Sequence, residues 1–384
     1  MGPPEEGRPA ATAHRAVLRS GQSRPEPSAS RIIAGVEGDA DRPVISVILV
    51  TRGRHALLDR CLASLAAQLD APPIELLVCT HDDDGAARVV HRRFPDATVV
   101  AVAQAHPGEA RNLLIDRAEG ELLLFVDDDV VLRRDLLARL ADLSARHPDA
   151  SVFGGPNLTP PGSTRFQVTQ GAVLGSLVAS GPVRFRYGRH PAKVANERYF
   201  TLCNLAVRRC HMPLFDPRLV CAEENAAMTE MHRRGLLMRY DPELVVYHER
   251  RSGYRSFCQQ MFKYGTGRGQ VLTDTRPPGS LPHLVPLVWM GYLVTAPVLA
   301  LLVGLSWLIP LGVYLVGVSA AALKVGTSLR RARSVPLAGA LIASLHVCYG
   351  TGVAAGLVRG RRAAVPRRAA ARPVGAALPV VPDR

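Results

Sequence analysis

Glu121-Leu-Leu-Leu-Phe-Val-Asp-Asp-Asp-Val130 is the stretch that decides how this 384-residue chain is read. Its apolar run, Leu122 to Val126, ends in three consecutive carboxylates, Asp127, Asp128 and Asp129. A short continuous apolar run closed by polar residues predicts a strand buried on both faces. In open α/β sheets, ligands bind outside the carboxyl ends of the strands, which is where these acids fall. Adjacent carboxylates repel one another, so a cation that gathers them relieves a real cost. Oxygen ligands of this kind suit Mg²⁺ or Mn²⁺. A helix N-cap ahead of Arg133 to Leu140 is the simpler explanation, but it accounts for one Asp and not for three.

Working outward, the segment from Val44 to Pro156 alternates strand and helix. Strands are expected at Val44 to Val50, Ile74 to Cys79, Thr98 to Val102 and Leu122 to Val126. Helices are expected at His55 to Gln68, Ala86 to Arg93 and Gly108 to Arg117. Such alternation predicts a mostly parallel sheet with right-handed crossovers. Beyond Pro156 the pattern loosens. A helix is expected over Gln167 to Ser180, a strand over Phe200 to Val207, and a helix opening at Glu223-Glu224-Asn225 and closing at Gly235. Tyr254, Phe257, Met261 and Tyr264 recur at helical spacing with cations between them. That fits an amphipathic helix on a bilayer surface, or equally one facing a core.

Charge is distributed unevenly. Residues 184–276 carry a net +8, residues 277–323 carry no charged group, and residues 324–384 carry +10. The uncharged run from Leu284 to Leu323 is long enough for two spans of about 20 residues each, broken near Leu305 to Pro310. Val335 to Val358 is a third apolar segment. A cytosolic start places Lys324, Arg330, Arg331 and Arg333 inside, as cation bias prefers. A full third span puts Arg359, Arg361 and Arg362 outside, against that bias, so this segment is either re-entrant, interfacial or an exception. Basic blocks beside apolar ones point to membrane lipids rather than nucleic acid. Residues 1–41 and 359–384 read as disordered tails. The seven cysteines form no CxxC pair and read as reduced thiols.

Five motifs occur in order: Val44 to Arg54, Gly108-Glu-Ala-Arg-Asn112, Ala118-Glu-Gly-Glu121, Phe125 to Asp129, and Glu223-Glu224-Asn225. Together they resemble the family 2 glycosyltransferases, inverting enzymes of GT-A fold that use nucleotide-sugar donors, and the apolar tail resembles that of bacterial exopolysaccharide and lipid-linked-glycan members. The resemblance implies an α/β fold: a Rossmann-like GT-A catalytic domain over 42–275, split near Pro156 into a nucleotide-sugar half and an acceptor half, followed by transmembrane helices within 282–358. It also implies a multi-pass protein of the inner membrane with its catalytic domain in the cytosol, acting on a lipid-linked or growing-glycan acceptor. Asp129 is then the direct metal ligand and Asp127 faces the ribose or the metal, with Asp128 between them. Thr51 lies against the nucleoside and Arg111 against the donor. Glu224, preceded by Glu223, supplies the base. Arg251, Gln259 and Lys263 contact the diphosphate. One departure stands out: the second strand ends in Thr80 and His81, with Asp82, Asp83 and Asp84 following, where many members have paired aspartates for the nucleobase.

Three rival readings use the same residues. A polyprenyl-phosphate sugar synthase shares the fold and the membrane. A haloacid-dehalogenase-type phosphatase fits Asp127 and Asp129 as nucleophile and acid, but needs a downstream lysine and acid pair that Lys193, Lys263, Lys324 and the scattered later aspartates do not readily supply. A scaffold without turnover has no need of Asp127, Asp129 and Glu224 together.

Overall fold

The computed structural model describes residues 44–360, apart from 82–83, 104, 218, 220–222 and 275–280, together with the backbone of 372–373. The two expected tails, and Asp82 and Asp83, therefore lie outside the described residues, save for Arg359, Gly360 and the 372–373 pair.

The first half follows the alternation: β1 (Ile45–Thr51), α1 (His55–Ala66), β2 (Ile74–Thr80), α2 (Asp84–Arg93), β3 (Thr98–Ala101), α3 (Pro107–Ile115) and β4 (Leu122–Asp127). These strands lie side by side in the order β3-β2-β1-β4 and run parallel. Side chains alternate across the sheet, as a period of two requires. Ile45, Val47, Leu49, Leu122, Leu124 and Val126 face one core layer with Leu58, Leu62 and Leu65 of α1. Ile48, Leu123 and Phe125 face the other with Ala110 and Leu114 of α3. Both faces are covered, which is why these strands read as unbroken apolar runs.

After β4 the elements shorten: β5 (Val130–Leu132), α4 (Leu136–Arg146), β6 (Ala150–Gly154), β7 (Asn157–Leu158), α5 (Arg165–Leu174), α6 (Leu177–Ser180), β8 (Lys193–Ala195), β9 (Leu205–Arg208), α7 (Glu223–Arg233), β10 (Leu237–Tyr240) and β11 (Val246–His248). The large sheet continues from β4 through β9, β6, β10 and β8, with β9 antiparallel to both neighbours, and Arg372–Pro373 pairs along the far edge at β3. A second, three-stranded sheet has the order β5-β11-β7. The expected helix over Gln167 to Ser180 is two helices, because the chain breaks at Gly175 and the Ser176 side chain caps α6 by accepting from the Ala179 N–H. The expected strand from Phe200 begins only at Leu205. Residues Leu202–Asn204 form a 3₁₀ turn, and the Asn204 amide is held on the Leu244 carbonyl at 2.7 Å.

Four long helices complete the chain: α8 (Tyr254–Asp274), α9 (Leu281–Leu302), α10 (Ile309–Ser328) and α11 (Ser334–Arg359). The segments 284–302, 305–328 and 334–359 are each long and apolar enough to cross a membrane. The break expected between Leu305 and Pro310 is a 3₁₀ turn at Leu305–Leu308. Phe257 and Met261 of α8 are buried in one cluster with Val173 and Leu174 of α5, Val318 and Ala322 of α10 and Leu341 and Leu345 of α11. The backbones of α8 and α11 nearly touch. A Cβ at Gly265 would lie 2.2 Å from the Tyr349 carbonyl oxygen, and one at Gly356 would lie 2.2 Å from that of Thr266. Paired small residues four apart let two apolar helices approach this closely. The helix that follows the α/β layers is thereby fixed to the last apolar helix.

Candidate active site

The site is assembled where β4 ends. β5 pairs antiparallel with β11 so that Val130 faces His248. This register sets the His248 Nε2 at 3.2 Å from the Asp129 Oδ1, and the Glu249 N–H donates to the Asp129 carbonyl at 2.9 Å. Asp127, Asp129 and His248 each present a ligand atom, all within 4.8 Å of one another. Among the described residues the buried Asp129 Oδ1 has no hydrogen-bond partner of good geometry, and its contact with His248 is an ion pair when the imidazole is protonated. A buried lone pair left without a donor, two carboxylates and an imidazole form a donor set that fits a divalent cation.

The neighbouring charges are tightly balanced. Burial works against ionised Asp129, but His248 and Arg54 outweigh it and hold this carboxyl below the usual carboxylate range. Burial also opposes a charged His248, yet the Cys203 sulfur and the Asp129 carboxylate push its pKa up to about 10. An imidazole must be neutral to bind a metal, so a cation entering here displaces that proton. Asp128 is fully buried and turned away, accepting from the Thr51 hydroxyl at 2.6 Å and paired with Arg54. Burial raises its pKa to about 6 despite those partners. Arg54 also reaches the Asp129 Oδ2 at 2.6 Å.

Arg111 links three elements. It donates from α3 to Asp127 at 3.3 Å and to Glu223 of α7 at 2.7 Å, and it is itself only 8% exposed. Glu223 is thus neutralised, whereas Glu224 keeps its carboxylate toward a cavity and accepts from the Asn225 amide at 2.9 Å. Burial, then the neighbouring Glu223, raises the Glu224 pKa. The cavity measures about 720 Å³, and Arg111, Asp127, Glu223, Glu224 and His248 all line it.

Thus Asp127, Arg111, Glu223, Glu224 and Lys263 come together around one space, Asp129 joins it through His248 and Asp127, and Thr51 and Asp128 lie behind and orient the aspartate turn. Two expected diphosphate contacts sit elsewhere. Gln259 is exposed and Arg251 is turned off the cavity wall, with Gln260 and Arg250 lining it in their place. The shift by one follows from the chain path: the Arg251 N–H is held on the Gln170 side chain, and the Arg250 guanidinium is buried on the Asn157 carbonyl at 2.7 Å. His81 lies between strand ends, with its ring nitrogens 3.3 Å and 3.1 Å from the Thr51 and Ala105 carbonyl oxygens. Arg54 and His248 were not singled out as ligand-side residues by sequence. Arg54 closes the first motif, and that position was the available signal. For His248, only the β5–β11 pairing reveals the role.

Residues 46–209 match the model of glycosyl transferase family 2. The chain carries a family 2 glycosyltransferase domain. It is 25% identical over 241 residues to the succinoglycan biosynthesis protein ExoM of Rhizobium meliloti (strain 1021), covering 58% of this chain and 73% of that protein. The fold is also that of a mannosyltransferase from Pyrobaculum calidifontis, solved with GDP-Man and Mn²⁺. That match has 18% identity and a TM-score of 0.51, over 86% of this chain and 92% of the other. The α/β unit is therefore a GT-A-like domain followed by three apolar helices, and the family match makes the chain a glycosyltransferase rather than a haloacid-dehalogenase-type phosphatase.

Proposed function

We propose that this glycosyltransferase moves a sugar, with inversion, from a nucleotide-diphosphate donor to a hydroxyl of a lipid-linked or growing-glycan acceptor, at the cytosolic face of a bacterial inner membrane. The observation that carries this reading is the split between the two adjacent glutamates. Glu223 is neutralised by Arg111, and Glu224, its pKa raised, faces the same cavity that Asp127 lines. A base is most effective when its pKa approaches the working pH. Glu224 takes the acceptor proton as the acceptor oxygen attacks the anomeric carbon. The bond from that carbon to the diphosphate breaks on the opposite face, and the nucleoside diphosphate leaves with the electron pair. Held by Asp127, Asp129 and His248, Mg²⁺ or Mn²⁺ would supply Lewis-acid neutralisation of the leaving diphosphate. The bound Mn²⁺ and GDP-Man of the Pyrobaculum enzyme support this reading of the donor side.

A polyprenyl-phosphate sugar synthase shares the fold, but a phosphate oxygen is already ionised and needs no base, so Glu224 favours a hydroxyl acceptor. The cytosolic orientation rests on the arginines at 330, 331 and 333, since the adjoining Ser334 is bonded to Thr169 of the catalytic domain at 3.1 Å. The test is a screen of UDP-, GDP- and TDP-sugars on purified membranes, with and without EDTA. Transfer from one donor class that EDTA abolishes is expected. Full turnover in EDTA would remove the metal from the reaction.

A further inference from the structure

The cavity that begins at Asp127 and Glu224 does not end at the catalytic layer. Its wall continues over Val178, Val285, Trp289 and Leu345, and Val285, though part of the wall, is 64% exposed on α9. The apolar arm therefore opens on the surface of a helix suited to lipid. Between the two ends stand Arg186 and Arg268. Arg186 donates to the Asn225 side chain at 3.0 Å, next to the base, while its Nε is shielded from solvent without a hydrogen-bond partner among the described residues. Arg268 is hydrogen-bonded to Tyr349 of α11, and the charge of Arg186 acts on the same hydroxyl. Arg186 also donates to the Glu197 carbonyl at 3.2 Å, and both arginines are half-buried; a guanidinium at the edge of an apolar cavity suits an anionic ligand. A nucleotide sugar is polar throughout and gains nothing from the arm. What matches it is an anionic group attached to a long hydrocarbon.

We propose that this cavity is the acceptor's lipid site: Arg186 and Arg268 take a phosphate or diphosphate, and the arm at Trp289, Val285 and Leu345 takes the prenyl-like chain behind it. The proposal rests on the transferase reading and deepens it. The acceptor would enter along α9 from the bilayer, and its phosphate would fix how far the terminal sugar reaches toward Glu224.

The test uses the full chain in lipid nanodiscs, with empty nanodiscs subtracted, and measures binding of farnesyl diphosphate, farnesol and inorganic pyrophosphate. Farnesyl diphosphate is expected to bind at least about tenfold more tightly than either part alone, since charge and apolar burial then act together. Arg268→Gln should weaken farnesyl diphosphate about tenfold and leave farnesol unchanged. Leu345→Trp, or Val285→Trp at the mouth if the former does not fold, should weaken both prenyl compounds and leave pyrophosphate unchanged. Equal binding of pyrophosphate and farnesyl diphosphate would overturn the proposal. So would displacement of farnesyl diphosphate by UDP or GDP in Mn²⁺, because the cations would then belong to the donor. Nucleotide-sugar turnover without prenyl binding removes the lipid site alone, whereas prenyl binding without any turnover removes the transferase reading instead.

Discussion

The two halves of the catalytic unit are built by different rules. From Ile45 to Asp127, β1, β2 and β4 are mostly apolar runs of six or seven residues buried on both faces, and a helix connects each strand to the next in sequence. From Asn157 to His248 the strands are two to four residues long, and the chain is held by side chains on backbone, such as Asn204 on the Leu244 carbonyl. The first half supplies a rigid edge that ends in Asp127, Asp128 and Asp129. The second brings the partners, namely His248, Glu223 and Glu224, from segments far off in sequence. A carboxylate edge fixed by burial thus meets a partner side fixed by polar contacts, and the joints between them are the places to press.

Arg111 is the strongest joint. Arg111→Ala leaves the buried Glu223 carboxylate unpaired and takes a cation from the half-buried Asp127, and removing one partner of a buried pair costs about 3–5 kcal/mol. Thermal unfolding of the purified protein should show that loss, and an unchanged melting point would mean that the halves are not tied here. Catalysis probes the next level. Glu224→Gln and Asp129→Ala should each lower kcat by more than about a hundredfold. The proposed base role requires Glu224 deprotonated, and its pKa is raised, so kcat in the native enzyme should fall as pH drops through a value above the ordinary 4.3 or so of glutamate. Normal turnover of Glu224→Gln would shift the base to another group.

His248 reports on the register that joins the halves. His248→Ala should raise the metal concentration for half-activity by about tenfold or more, the scale of disturbing a metal's surroundings. Titration of activity with Mn²⁺ measures it, and an unaltered midpoint would leave the carboxylates as sole ligands. The smallest effect is expected at Gln259. It is exposed beside the cavity-lining Gln260, so Gln259→Ala should change kcat/KM by less than about twofold, as surface substitutions do. A large loss there would move α8 relative to the donor.

These contrasts also explain what could be read without coordinates. Leu122 to Val126 announced a buried strand because a sheet covered on both faces needs no polar positions, and the three acids after it had to lie at its carboxyl end. Glu224 was legible as an acid pair opening a helix, though its division of labour with Glu223 waited on Arg111. Arg250 and Gln260 were missed by one position, because helical and strand periodicity locate an element and not the rotation of its first turn. For α8, spacing marked an amphipathic helix but left its apolar face either on lipid or on protein. The contact at Gly265 and Gly356 places α8 directly against α11.

By itself, then, the sequence determined the alternating α/β layers, the carboxylate turn at Asp127 to Asp129 and the three apolar helices, because burial and membrane length impose local patterns. Tertiary structure alone decided which residues surround those carboxylates. The pairing of β5 with β11 puts His248 against Asp129, the reach of Arg111 separates Glu223 from Glu224, and the packing of α8 on α11 extends the site into an apolar arm. Each depends on contacts between residues from about 90 to 120 positions apart, for which no local period exists.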